Sequence, residues 1–450
     1  MEHALRLRET VFTVRMTPAR AILLGFAGVI LAGAGLLTLP AASASGESAG
    51  FLTALFTATS AVCVTGLVVV DTATHWSTAG QLVIMGLIQT GGLSFMTMAS
   101  LFFLLTGKRI GLRERILIRE SFNQFDVAGM VRLVRAVLVY AFSVEAFFAL
   151  VLAVHWASAV GLPRALWLGV FHAISAFNNA GFDLMGGFRS LTAYVDDPVV
   201  ALSISTLFIL GGIGFSVVLN LWEWRERRLS THSRLALVVT ACLIAAGTLL
   251  ILLFEWANTL APFSSPGKLL AAYFTAVTPR TAGFNTLDTA ALRPATQFLI
   301  LVLMFIGASP GSTGGGIKTT TFGLLAASVF SQSRGKEDTE IFRRRIPTEQ
   351  VTKALAVTLL SGCLVTVVTL LLNLSEATGF LTVLFEVVSA FGTVGLSMGL
   401  TTHLTRLGRL LIIGTMFSGR VGPLTAMIAL TQSARPKNHL RRVEDRVLIG

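Results

Sequence analysis

Glycine placement constrains this chain more than any other feature. Four times an aromatic residue is followed ten positions later by a glycine that ends a short polar run: Phe56 to Gly66, Phe171 to Gly181, Tyr273 to Gly283 and Phe385 to Gly395. The glycines stand 115, 102 and 112 residues apart, and each copy lies between two long apolar stretches. The pattern describes a fourfold internal repeat of one span, one short helix and a second span. Inside a membrane such a repeat forms a ring around an axis, and a ring of backbone loops lines a path for ions.

A membrane setting follows from composition. Apolar residues make up 54% of the chain and charged residues 13%, and the mean hydropathy is +0.76, values foreign to a soluble surface. Apolar runs long enough for a hydrocarbon core of about 30 Å fall near 20–41, 78–106, 129–158, 196–222, 235–259, 294–329, 351–374 and 404–433, two per repeat. Shorter apolar stretches, 51–62, 163–177, 266–279 and 377–391, read as re-entrant helices. A helix followed by non-helical backbone at membrane depth is tolerated where it lines a wet or protein-buried cavity. Ser60–Ala61, Ser175–Ala176 and Ser389–Ala390 precede three of the glycines at one offset, which separate surface helices would not share. The expected fold is therefore an all-α integral membrane protein with four tandem repeats arranged pseudo-fourfold around one central pore. Its parts are a segment 1–19, repeats at 20–122, 123–233, 234–348 and 349–433, and a tail 434–450.

Basic residues orient the spans. The first outer segment, 42–77, holds no Lys or Arg, whereas the opposite linkers carry Lys108, Arg109, Arg113, Arg115 and Arg119, then Arg225, Arg227, Arg228 and Arg234, then Arg334, Lys336, Arg343, Arg344 and Arg345. Both termini are expected in the cytoplasm, with the glycine loops approaching from outside. The net charge of +12 is spread over these inner segments, so nucleic acid is not the expected partner; a cytoplasmic protein or anionic headgroups are. Cys63, Cys242 and Cys363 show no metal or disulfide spacing, and the latter two, inside spans, are expected as small packing residues. The charged N-terminus does not read as a removable signal peptide.

The loop positions are Cys63, Val64, Thr65 and Gly66; Asn178, Asn179, Ala180 and Gly181; Arg280, Thr281, Ala282 and Gly283; and Gly392, Thr393, Val394 and Gly395. None is Asp or Glu, so coordination must come from backbone carbonyls, which suit a large monovalent cation such as K⁺. Glycine at each site permits φ > 0 and an inward carbonyl. Arg280 must point away from the axis, toward Asp288, Glu386 or helix C-terminal carbonyls. Asp183 and Asp288 are expected to bias the outer mouth negatively.

These four loops resemble the selectivity filters of the Trk/Ktr/HKT superfamily of potassium transporters, and the resemblance covers nearly the whole chain. It implies span, pore helix and span in each repeat, one pore per chain, and K⁺ preference where all four filters carry glycine, as Gly66 does in the first.

The second spans are broken by small residues at Gly91–Gly92, at 211–214, at 307–316 and at 419–423. The third break, Gly307, Ala308, Ser309, Pro310, Gly311, Ser312, Thr313, Gly314, Gly315 and Gly316, cannot remain helical, because each interior Gly costs roughly 0.8–1 kcal/mol and Pro about 3 relative to Ala. It reads as a movable constriction. The run GSTGGGIKT is not a phosphate loop, since Ile317 separates the glycines from Lys318. The segment resembles the intramembrane gating loop of Trk and Ktr channels, with Ser309, Ser312 and Thr313 supplying a closed-state hydrogen-bond network across the pore. Arg420, an ionisable residue at membrane depth, matches by resemblance the fourth-repeat arginine that projects toward the ion path.

The eight-span layout resembles the Ktr membrane subunit. That implies K⁺ uptake across a bacterial plasma (inner) membrane by a homodimer resting on a ring of nucleotide-binding RCK subunits. ATP or ADP would bind only that partner, since this chain has no GxGxxG within a βαβ pattern and no cofactor of its own is expected. The alternative is a cation transporter coupled to Na⁺ or H⁺, for which the spans offer few ionisable residues beyond Arg420, Glu145 and His155. An enzyme is not expected, because His172 and Glu386 lie in different pore helices without a nucleophile or metal partner.

Overall fold

The computed structural model describes residues 18–94, 97, 130–224 and 228–422. Its helices are α1 (Pro18–Thr38), α2 (Phe51–Val62), α3 (Thr72–His75), α4 (Thr78–Gly92), α5 (Met130–Val160), α6 (Leu162–Phe177), α7 (Pro198–Gly212) and α8 (Phe215–Trp222). They continue with α9 (Thr231–Glu255), α10 (Ser265–Val277), α11 (Pro294–Phe305), α12 (Thr319–Ser333), α13 (Thr348–Ser375), α14 (Phe380–Gly392) and α15 (Arg406–Val421). The molecule is predominantly helical and passes the membrane several times. A two-residue antiparallel pair, β1 (Glu340–Ile341) with β2 (Arg344–Arg345), modifies the all-α expectation in the third inner linker.

Among the described residues α1, α5, α9 and α13 are long and apolar enough to cross a membrane. These are the four first spans. The second spans differ: α7 and α8 bend by 96° at residues 213–214, and α11 and α12 are separated by the 307–316 loop. The inner ends of the expected spans 78–106 and 404–433, like both chain termini and most of the first inner linker, lie outside the described residues.

Each short helix (α2, α6, α10, α14) packs against the first span of its own repeat, and against the second span of the preceding one: α4 on α6, α7 on α10, α11 on α14. The contact of α15 with α2 joins the fourth repeat to the first. Phe56, Phe171, Phe274 and Phe385 on the short helices are fully buried. Cys242 and Cys363, expected as packing residues, are instead exposed on α9 and α13, two of the helices apolar enough to cross a membrane.

Glycines in the second spans act by close approach as well as by breaking helices. A β-carbon on Gly91 would lie 2.0 Å from the Val62 carbonyl oxygen, on Gly211 1.8 Å from that of Phe177, and on Gly419 2.0 Å from that of Phe391. Val62 and Phe177 end α2 and α6, and Phe391 lies in the last turn of α14. Since the obstacle is backbone, the Gly211→Ala chain should lose about 1–3 kcal/mol of stability from overpacking, seen as a lower unfolding temperature in detergent. Gly28→Ala, inside α1, adds a carbon that meets nothing within 4 Å and should hold or slightly raise it, since Ala favours a helix over Gly.

Candidate functional site

The four loops after α2, α6, α10 and α14 share one backbone path. Val64, Asn179, Thr281 and Thr393 have positive φ (53°, 58°, 75° and 51°), as do Gly66, Gly181, Gly283 and Gly395 two residues later (86°, 70°, 80° and 93°). For non-glycine residues this region costs roughly 1–2 kcal/mol each, so the surrounding packing has to hold it.

The glycines adjoin one another in a closed circuit. A β-carbon on Gly66 would lie 2.5 Å from the Ala180 carbonyl oxygen, one on Gly181 2.9 Å from that of Ala282, and one on Gly283 2.3 Å from that of Val394. From Gly395 it would lie within 2.2 Å of the Thr65 carbonyl oxygen. Each loop thus presses its glycine Cα against the carbonyl that precedes the next glycine, leaving no room for a side chain. All sixteen of the expected loop positions are buried or nearly so, at the centre of the molecule.

Side chains on the short helices brace the loops. The Gly66 and Gly395 N–H groups donate to Ser60 Oγ (3.0 Å) and Ser389 Oγ (3.1 Å), and Ser175 Oγ donates to the Phe182 carbonyl (2.6 Å). In the third repeat this work falls to Thr278, whose hydroxyl donates to the Phe284 carbonyl (2.5 Å). The third copy is therefore one residue shorter than the others: Phe274, not the half-buried Tyr273, occupies the aromatic position. The ten-residue offset alone does not reveal this. His172 is a brace as well, its Nδ1–H donating to the Leu168 carbonyl (2.8 Å) while Nε2 accepts the Leu184 N–H (3.3 Å).

Arg280 points away from the loops, but not to the expected partners. Its guanidinium donates to Thr240 Oγ1 on α9 (3.1 Å), while Asp288 caps a short turn through the Ala290 N–H (2.9 Å) and Glu386 accepts from the Ser397 and Thr401 hydroxyls. Local hydrogen-bond donors satisfy both carboxylates first. Beside the loops, a cavity of about 20 Å³ is lined by Gly66, Gly181, Asp183 and Asp71, room for one water-sized body. Asp71, the N-cap of α3, takes the place expected for Asp288 and was not singled out in the sequence. Burial pushes the Asp183 carboxyl up to about 6, with a smaller push from Asp71 and an opposing hydrogen bond from the Met185 N–H.

The 307–316 loop lies directly against these backbones. Its own hydrogen bonds use the break in α7: the Ser309 and Thr313 N–H groups donate to the Gly212 (3.0 Å) and Gly211 (3.1 Å) carbonyls, and the Phe215 N–H returns one to the Gly311 carbonyl (2.9 Å). Two broken helices thus satisfy each other's backbone groups, as burial demands. Ser309 Oγ bonds Thr319 Oγ1 at the start of α12 (2.9 Å), and Ser312 Oγ donates to the Ser309 carbonyl within the segment (2.6 Å). Of the three hydroxyls expected to form a network across the pore, that of Thr313 reaches another repeat, meeting the Asn179 amide at 2.9 Å. β-Carbons on Gly314 and Gly315 would lie 2.1 Å from Thr281 Oγ1 and 2.3 Å from Thr393 Oγ1. The loop therefore touches three of the four glycine-bearing segments.

Two cations hold it there. Arg420, in the last turn of α15, donates to the Thr313 carbonyl and to the Gly91 and Gly92 carbonyls at the end of α4, where the helix dipole favours positive charge. Lys318 Nζ donates to the Gly314 carbonyl (2.8 Å). Lys318 was missed as a site residue, because in the sequence it served only to exclude a phosphate loop.

Residues 25–439 match the family model described as TrkH: Cation transport protein. The chain is 45% identical to the Ktr system potassium uptake protein B of Bacillus subtilis over 97% of its own length and 98% of that protein's. It is 40% identical to the potassium/sodium uptake protein NtpJ of Enterococcus hirae, over 97% and 98%. The crystal structure of the potassium transporter TrkH from Vibrio parahaemolyticus has the same fold, with a TM-score of 0.70 at 18% identity, over 91% of this chain and 84% of that one.

Proposed function

The chain belongs to the TrkH family of cation transport proteins, and we propose that it carries K⁺ into the cell through a pore on the axis of its four glycine loops. The observation that carries this reading is the circuit of close contacts from Gly66 through Gly181, Gly283 and Gly395. Four backbones in register around one axis, pseudo-fourfold, present rings of carbonyl oxygens able to replace the hydration shell of K⁺. The residues at 63–66, 178–181, 280–283 and 392–395 are then the filter. The names of the Bacillus and Enterococcus relatives support K⁺ as cargo.

Below the filter, the 307–316 loop is the gate in a closed position, latched by Thr313, Lys318 and Arg420. The Ktr system name of the relative supports a membrane subunit that works with a regulatory partner; a homodimer on a cytoplasmic nucleotide-binding ring fits that reading. The basic inner linkers, with both termini inside, suit such a partner.

The test is K⁺ and Na⁺ flux into liposomes holding the purified full-length chain. Passive flux favouring K⁺ supports the pore. Uptake against a K⁺ gradient driven by protons or Na⁺ makes the chain a coupled transporter, the reading that the Enterococcus relative's potassium/sodium name favours.

The outer cavity adds a pH dependence. Above about pH 6 Asp183 is ionised and concentrates cations beside Gly66 and Gly181; below it the charge is lost. Lowering external pH from 7.5 to 5 should raise the half-saturating K⁺ concentration roughly two- to fivefold, within the range of surface steering effects. Asp183→Asn should show the raised value at every pH.

A further inference from the structure

A carboxylate buried within the membrane-spanning helices belongs to none of the parts above. Glu145, near the middle of α5, is 4% exposed, although ionisable groups at membrane depth are expensive and by default functional. Both of its oxygens accept from Gln89 Nε2 on α4 (3.1 Å each), and Oε1 also accepts from Asn178 Nδ2 (3.0 Å). Asn178 Nδ2 donates in addition to Gln89 Oε1 (2.8 Å) and to the Ile174 carbonyl (2.9 Å). Three side chains from three elements close a triangle.

Asn178 opens the second filter segment, and its orientation is not self-sustaining. Its Oδ1 is buried without a hydrogen-bond partner, pressed on Gly92, where a β-carbon would lie 2.1 Å from that oxygen. Leaving a buried amide oxygen unpaired is unfavourable, so the bonds made by Nδ2 must hold the side chain in place. Two residues on, Ala180 presents the carbonyl that fills the space over Gly66. The position of the second segment therefore sets the fit of the first.

We propose that Glu145 is a positioning residue for cation selectivity, acting with Gln89 through Asn178 to fix the second filter segment. The other segments are braced differently at the matching position: Arg280 reaches Thr240, Cys63 is a buried thiol and Gly392 has no side chain. Selectivity then depends on an acceptor outside the filter, which a count of filter glycines does not include. The proposal rests on the pore reading, and the experiment separates the two.

Purified full-length chain in liposomes is assayed for K⁺ and Na⁺ flux as wild type, Glu145→Gln, Glu145→Asp and the exchange Gln89→Glu with Glu145→Gln. Glu145→Gln turns an acceptor into a donor facing Gln89 Nε2; the exchange restores one carboxylate and one amide to the triangle. The expected result is a tenfold or greater fall in the K⁺/Na⁺ ratio for Glu145→Gln, with the half-saturating K⁺ concentration raised more than maximal flux falls. The exchange should recover the ratio to within about threefold of wild type. A monodisperse Glu145→Gln chain with the wild-type ratio overturns the proposal, as does an exchange with no recovery. If Glu145→Gln does not assemble, Glu145→Asp decides: it keeps the carboxyl group but draws it back from Asn178. A lowered ratio supports the proposal and an unchanged one overturns it. A wild-type chain showing no K⁺ preference sinks the pore reading instead, before any variant is compared.

Discussion

Replacing Gly66 with serine should abolish the preference for K⁺ over Na⁺, lowering the permeability ratio by tenfold or more while cation flux persists. Gly66 has a φ of 86°, where a side chain adds about 1–2 kcal/mol of strain. The added β-carbon also meets the Ala180 carbonyl oxygen at 2.5 Å and the Gly181 backbone at 3.1 Å. Neither obstacle is the end of a flexible side chain, so relief requires the first and second segments to part. A tenfold change corresponds to 1.4 kcal/mol, which that strain alone is able to supply. Bi-ionic reversal potentials, or paired K⁺ and Na⁺ flux in liposomes, measure the ratio directly. A Gly66→Ser chain with wild-type selectivity would mean that the glycine circuit is not the filter.

Deleting residues 311–315 should have the opposite signature, raising K⁺ flux about tenfold or more with selectivity largely retained. The deletion removes Thr313, whose hydroxyl meets Asn179 and whose carbonyl receives Arg420, and the glycines packed against Thr281 and Thr393. It also strands the Gly211 carbonyl and the Phe215 N–H, which the loop satisfies in the intact chain. Once the path is open to water, solvent takes over both groups, so the chain should still assemble. Single-vesicle flux at a fixed K⁺ gradient checks the rate. Unchanged or lower flux from a monodisperse deletion variant would remove the loop from the role of gate. Because one variant alters the ratio and the other the rate, filter and gate are tested independently.

Much of this molecule is legible from residue type and spacing. Apolar runs marked the first spans, since a hydrocarbon core admits few other solutions. Short apolar stretches marked α2, α6, α10 and α14, and glycine marked four of the eight loop positions that take φ > 0, leaving Val64, Asn179, Thr281 and Thr393 unmarked. The Gly- and Pro-rich run at 307–316 marked a break because it cannot be helical. All of these are local demands, and a local demand leaves its trace in consecutive residues.

Partnership left no such trace. Arg280 has several carboxylates and carbonyls to choose from by sequence, and tertiary packing places it on Thr240, 40 residues away. Glu145 read as one ionisable residue in a span until Asn178 and Gln89 came within hydrogen-bond distance. Lys318 read as part of a failed motif, Asp71 carried no signal at all, and the third repeat's missing residue was hidden because Tyr273 and Phe274 are adjacent aromatics. Residue type and spacing alone specify a helical membrane protein with glycine recurring where backbone must meet backbone. Which backbones meet, and which side chains hold them, is settled in three dimensions, because those pairings join residues up to 329 apart in the chain, whose contacts depend on helix packing rather than on any periodicity.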